Sequence, residues 1–214
     1  MVDYRHWKLI QWQRELGFKR NGAKRRWTRS DYLLHVVSNL GSICETLRKQ
    51  ERHETIDLLP ELFISLLVFA NVSKINLQEA AWRKYPGVCP SCLERQDCNC
   101  IRREKVIRTD ADLDPYRQSR RLMPETLDDW QLMSSKIFGK QNQVQWREKI
   151  WYHFEEEVGE IAKALLFQGP RELSDELADA FAWYVAFSNR MAVSITNLLV
   201  AKFFSHSYSL AKIA

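Results

Sequence analysis

Displaced by 118 positions, the chain aligns with itself without a gap, and this self-similarity constrains the fold before any single motif is considered. Trp12-Gln13 falls on Trp130-Gln131, His35 on His153, Gly41 on Gly159, Ile43 on Ile161 and Leu47 on Leu165. Further along, Leu59 meets Leu177, Phe63 meets Phe181, Phe69 meets Phe187, Asn71 meets Asn189 and Lys84 meets Lys202. The register holds from about residue 9 to 85 and from 127 to 203, which reads as two copies of one unit. Only 7 Gly and 6 Pro interrupt the 214 residues, and strand-like alternation is scarce, so the unit is helical and the expected fold is all-α. A short helix pair buries its apolar stripe poorly alone. The two copies, residues 1–85 and 127–214, are therefore expected to pack as four-helix-type halves of an internal pseudo-dimer. Residues 86–126 form a different kind of segment between them.

An apolar fraction of 45% with 28% charged residues is that of an ordinary globular protein. The start, Met-Val-Asp-Tyr-Arg-His, has no apolar signal core, and no run of 18 uncharged apolar residues exists. The expectation is a cytoplasmic protein without a membrane partner. The richest apolar run, Ile56 to Val72, carries Asp57, Pro60 and Glu61 and suits a core helix. Nine of the Lys and Arg residues fall in positions 1–30, against Asp3 and Glu15, giving a basic N-terminal region in a chain of net charge +5. With Trp7, Trp12 and Trp27 interleaved, that region could meet nucleic acid or polyphosphate; a solvated helix face is the competing reading.

The chemistry lies in the second copy. Glu157 and Glu160 stand three apart in a helical pattern with Ile150, Phe154, Val158, Ile161 and Leu165, so they share a face. Gly169-Pro170 then breaks the helix, and Glu176 and Asp179 repeat the i, i+3 spacing in the next one. A short connection makes these helices antiparallel neighbours and sets four acids opposite one another near apolar runs. Such acids need protons, cationic partners or a bound ion. Hard oxygen ligands suit Mg²⁺ or Mn²⁺. A solvated Glu-rich face is the alternative.

Glu157-x-x-Glu160 followed by Glu176-x-x-Asp179 resembles the ExxE…ExxD pattern of MazG-like nucleoside triphosphate pyrophosphohydrolases. Around it, Glu156-Glu157-Val158-Gly159-Glu160 is similar to the family's EExGE run, and Glu176-Leu177-Ala178-Asp179-Ala180-Phe181 to its ELxDxxF run. The resemblance implies Mg²⁺-dependent hydrolysis of a nucleoside triphosphate to the monophosphate and pyrophosphate, with the four acids as the metal cage. Glu156 is a fifth candidate, as ligand or water-orienting base. Asn197 and Lys202 fall where the family places a phosphate-binding Asn and Lys; Lys163 and Asn189 are further candidates for neutralising the triphosphate. The first copy carries Asn39, Ser42, Leu58 and Glu61 at the four acid positions, so a single site per chain is expected, with the first half standing as a second protomer that lends residues. Base recognition would fall to an apolar pocket between the copies; Trp183, Tyr184 and Phe187 are candidates, though core packing is their commoner role.

Cys89-Pro-Ser-Cys92 followed by Cys98-Asn-Cys100 gathers four of the five cysteines within twelve positions. Four thiolates satisfy tetrahedral Zn²⁺, and a structural zinc knuckle is the expectation. The spacing is tighter than that of zinc ribbons, so an iron-sulfur cluster or disulfides also stand open. Cys44 reads as a buried apolar residue and the His35/His153 pair as packing residues. The competing functional class is a non-catalytic protein of this fold that binds nucleic acid or a protein partner through the basic arm and the zinc loop. Further pairing into a homo-dimer is compatible with either.

Overall fold

The protein, described here from a computed structural model, is seen over residues 3–19, 27–100 and 108–204. Arg20, Lys24, Arg25 and Arg26 of the basic arm lie outside the described residues, as do Arg102, Arg103, Glu104 and Lys105 of the central segment.

Every regular element among the described residues is helical: α1 (Leu9–Lys19), α2 (Arg29–Arg48), α3 (Arg52–Val72), α4 (Leu77–Lys84), α5 (Asp110–Gln118), α6 (Leu127–Gln143), α7 (Arg147–Phe167), α8 (Pro170–Arg190) and α9 (Ile195–Phe203). The repeat is preserved to the residue, since α1 to α4 begin at 9, 29, 52 and 77 and α6 to α9 at 127, 147, 170 and 195. Local chemistry sets these starts. Thr28 caps α2 and Thr126 caps α6, each in a capping box with the Asp three residues on, while Asn76 and Ser194 accept from the third backbone amide of α4 and α9. The expected break falls at Gln168-Gly169, with Pro170 opening α8.

One polar network is built twice. The Gln13 amide donates to Asn71 Oδ1 (2.9 Å) and the Ile75 carbonyl (2.7 Å), and accepts from the Leu77 amide (3.0 Å). Gln131 makes the same bonds to Asn189 (2.8 Å), Val193 (2.9 Å) and Ile195 (2.8 Å). Each ties the first helix of its half to the turn between the third and fourth, satisfying backbone groups that burial would otherwise orphan. That turn passes through a left-handed residue in both halves, Lys74 (φ 59°) and Ala192 (φ 57°). Neither side chain favours that region, so Ala192→Gly is expected to stabilise the protein by about 1 kcal/mol, readable as a rise of a few degrees in Tm.

The halves are not separate bodies. α2 packs on α3 and α7 on α8, but α4 lies against α8 and α9 reaches α3, so each half gives its last helix to the other. Residues related by the repeat meet between the halves: Phe63 and Phe181 approach with ring centroids 6.1 Å apart, and Lys8 forms a β-bridge with Thr126. Phe63 also stacks on Tyr184 (4.9 Å), whose hydroxyl donates to the Leu59 carbonyl (3.0 Å). α3 is long and apolar enough to cross a bilayer, yet 67% of that stretch is buried inside the protein, the place expected for Ile56–Val72.

Candidate functional site

α7 and α8, joined by two residues, run antiparallel and turn their acidic positions toward each other. One carboxylate oxygen from each of Glu157, Glu176 and Asp179 lies within 4.8 Å of the other two. Glu160 stands exposed at the edge of this triad and is hydrogen-bonded to Glu176. All four expected acids therefore meet, three of them as a compact cluster.

The cluster is answered by α4 of the first half. Lys84 Nζ lies 2.6 Å from Asp179 Oδ2, and the Tyr85 hydroxyl donates to Asp179 Oδ1 at 2.6 Å, so both oxygens of that carboxylate are held. The side chains of Lys84 and Asp179 are only 33% and 13% exposed, which sets this pair apart from a screened surface bridge. Burial, then Asp179, Glu176 and Glu160, pushes Glu157 up to about 8 against the pull of Lys84. Burial raises Glu176 to about 7, with Lys84 opposing and Asp179 and Glu160 adding to the rise. Asp179 is also raised by burial, less so because Lys84 and Tyr85 stabilise its charge. Burial would lower the Lys84 amine, but the charge and hydrogen bond of Asp179, with Asp175 and Glu176 adding, together outweigh it and the group lies above its ordinary value. Three acids sharing one ammonium remain short of positive charge, and their clustered oxygens fit a hard divalent cation.

The repeat supplies the counterpart. Lys202 on α9 lies 3.9 Å from Glu61 on α3, the symmetry mate of the Lys84–Asp179 pair. Lys202, expected at the acids, thus faces Glu61 of the first half instead. The reason is that α9 packs on α3 and α4 on α8, which makes Lys84 the lysine beside the acidic triad. Asn197 is exposed on the same α9. Asn189 is held by Gln131 ten residues beyond Asp179 on α8, or about 15 Å along the helix axis, and serves the turn instead of the acids. Glu156 pairs with His153 (3.3 Å) with its side chain 63% exposed, and Lys163 is exposed on α7. Where the second half has its acids, the first has Asn39 donating to Ser65 Oγ (2.6 Å) and Ser42 donating to the Ser38 carbonyl (3.2 Å), groups with no negative charge to offer a cation.

Of the aromatic candidates, Tyr184 and Phe187 are core residues, and Trp183 stacks on His153 with centroids 4.4 Å apart. A small apolar pocket of about 20 Å³ does lie between the halves, formed by Ala81 and Tyr85 of the first and Trp130, Phe138 and Phe181 of the second. Trp130 is 3% exposed and its Nε1 has no hydrogen-bond partner. Around Trp12, the matching residue of the first half, the rings of Tyr4 (6.1 Å), Trp7 (5.0 Å) and Phe204 (6.0 Å) gather instead. Tyr85 was not among the expected residues; its neighbour Lys84 was the only signal, through its repeat mate.

The four clustered thiols form a second potential ion site. Cys89 and Cys100 sulfurs are 3.7 Å apart and those of Cys92 and Cys98 are 3.6 Å apart, with all four within 4.8 Å of one another. Four thiolates at about 2.3 Å from a tetrahedral ion stand about 3.8 Å apart, so the set fits such an ion as it is, and the cysteines are free thiols here. The knuckle turns through Leu93 in the left-handed region (φ 63°) and docks on α6, where the Cys98 amide donates to the Ile137 carbonyl (2.7 Å) and Lys140 pairs with Asp97 (2.6 Å). Cys44, half-buried, donates to Glu155 (2.8 Å) and accepts from Trp151 Nε1 (3.3 Å), which ties α2 to α7. No family model, curated protein or solved structure matches the chain.

Proposed function

We propose that the chain is a nucleoside triphosphate pyrophosphohydrolase, cleaving its substrate to the monophosphate and pyrophosphate at one site per chain. The observation that carries this reading is the triad Glu157, Glu176 and Asp179, answered by Lys84 from the other half. Mg²⁺ or Mn²⁺ on those oxygens, with Glu160 at the edge, would polarise the phosphates and orient a water. Water attacks the α-phosphorus, the bond to the bridging oxygen breaks, and pyrophosphate leaves with its negative charge to be neutralised. Lys84 is the residue placed to do that: its ammonium already faces the carboxylates, and once their charge is met by the cation it can pair with phosphate oxygens.

The thiol set is read as a structural Zn²⁺ site. Burial lifts Cys89 to about 11, and Zn²⁺ must displace such protons, so binding releases acid. Purified protein is expected to carry one zinc per chain by atomic absorption and to show four more reactive thiols after the metal is removed.

The activity is tested by incubating the protein with each NTP and dNTP and Mg²⁺ while measuring pyrophosphate, with Asp179→Asn as control. Release with at least one nucleotide, absent in the variant, supports the reading. No release above the variant with any nucleotide sinks it.

A further inference from the structure

Beside the acids, a cavity of about 330 Å³ lies between α4 of the first half, the cysteine knuckle, α5 and the first turns of α8. Its walls carry five cations, Arg83, Lys84, Arg108, Arg117 and Arg171, against Asp110 and Asp175. The volume is in the range of a small-ligand pocket. A cavity so lined suits a compact polyanion, because guanidinium forks match phosphate oxygens.

The cations are held in place. Arg117 Nε donates to the Arg83 carbonyl (2.7 Å) and its Nη1 meets Asp114 (2.9 Å) and Asp110 (3.0 Å), leaving the side chain 18% exposed. Arg83 Nη2 binds Asp175 (2.6 Å) and Ser174 Oγ (3.0 Å), and Arg171 pairs with Asp110. The cavity is continuous with the acidic site through two wall residues: Lys84, which binds Asp179, and Asp175, the neighbour of Glu176.

The knuckle forms one wall. Pro90 and Ser91 line the cavity and are the two residues between the ligand candidates Cys89 and Cys92. Arg108 Nε donates to the Ser91 carbonyl (3.1 Å), so one of the five cations is placed by the knuckle backbone itself. An ion on the thiols fixes the turn that holds Pro90 and Ser91, and with it the geometry of the cationic wall.

We propose that this cavity binds a condensed phosphate chain, and that the ion held by the four cysteines organises it, so that thiol-site occupancy and phosphate affinity are coupled. This rests on the proposed hydrolase reading only for the identity of the natural ligand, the phosphate end of a nucleotide running from the triad into the cavity.

The test is calorimetric titration with inorganic tripolyphosphate, without Mg²⁺ or nucleotide, so it stands or falls apart from any hydrolysis. The wild-type protein is expected to bind one equivalent. Arg108→Gln/Arg171→Gln, both at the cavity, is expected to weaken binding at least tenfold, while Lys49→Gln, at the end of α2 and paired with Glu45, leaves it unchanged. Cys100→Ser is expected to lose metal and at least tenfold in affinity with its helical circular dichroism kept; Cys100→His, which preserves four ligands, is expected to keep both. A non-hydrolysable nucleoside triphosphate is expected to compete with tripolyphosphate. Equal affinity in wild type and the arginine variant overturns the site. Unchanged affinity in metal-depleted Cys100→Ser overturns the coupling, as does loss in a metal-loaded Cys100→His. If Cys100→Ser unfolds, the arginine variant and Cys100→His still decide both points. Independent binding of nucleotide and tripolyphosphate overturns the ligand assignment.

Discussion

Lys84→Met is expected to lower kcat/KM for the nucleotide about 100-fold, whereas Lys202→Met changes it by less than about threefold. The two lysines occupy the same position of the repeat, and the resemblance in sequence favours Lys202. The packing of the terminal helices reverses that order: Lys84 Nζ is 2.6 Å from Asp179, while Lys202 faces Glu61 at 3.9 Å on the side where the acids have been replaced. On the proposed reading, an ammonium in a partly desolvated site that meets the phosphate charge contributes about 2.7 kcal/mol to the transition state, or two powers of ten. Steady-state kinetics of the two variants measure the contrast directly. Equal losses, or a greater loss at Lys202, would show that the acidic triad is not where the lysine acts.

Glu157→Gln is expected to abolish activity, by about 1,000-fold, and at the same time to stabilise the metal-free protein at pH 8. In the folded chain Glu157 holds its proton up to about 8 and Glu176 up to about 7, well above an unfolded carboxyl near 4.3. Between those limits the folded state binds more protons than the unfolded one, so stability falls as pH rises through this window. The metal-free wild type should therefore lose Tm from pH 5 to pH 8. Mg²⁺ binds the deprotonated acids, so its stabilising effect should grow with pH and reverse that loss. The variant removes the most strongly raised group, so its Tm should depend less on pH and respond little to Mg²⁺. Thermal unfolding at pH 5, 6.5 and 8, with and without Mg²⁺, checks each part. A wild-type Tm that rises across this range without metal would contradict the buried-acid account.

Much of the architecture was legible because the repeat records it twice. Helix starts, the Gly169-Pro170 break and the approach of Glu157 and Glu160 to Glu176 and Asp179 all follow from local spacing and capping, which depend on neighbours in sequence. The expected phosphate-side residues that lie away from the triad share one origin. Lys202, Asn197 and Asn189 lie in the same copy as the acids, and proximity in sequence was taken for proximity in space. Which half's α4 or α9 covers a given acidic cluster is decided by packing between the halves, and the periodicity of either helix is the same whichever way it turns. Tyr85 and the arginines of the cavity were hidden for the same reason: they come from α4, α5, the knuckle and α8, and only the tertiary fold gathers them. The cysteine cluster was the opposite case, since all four thiols are close in sequence and the turn that joins them can be read directly.

The exchange of α4 and α9 also bears on how the protein behaves at low concentration. A symmetric assembly of two separate chains that traded these helices would come apart on dilution and lose the lysine from its acids. Here residues 86–126 tether the two halves, so their encounter is intramolecular and the local concentration of each for the other does not fall with that of the protein. Lengthening that tether costs little in closure entropy, which leaves the segment free to carry a knuckle and a helix of its own. Specific activity should accordingly stay constant down to concentrations at which a two-chain version would dissociate.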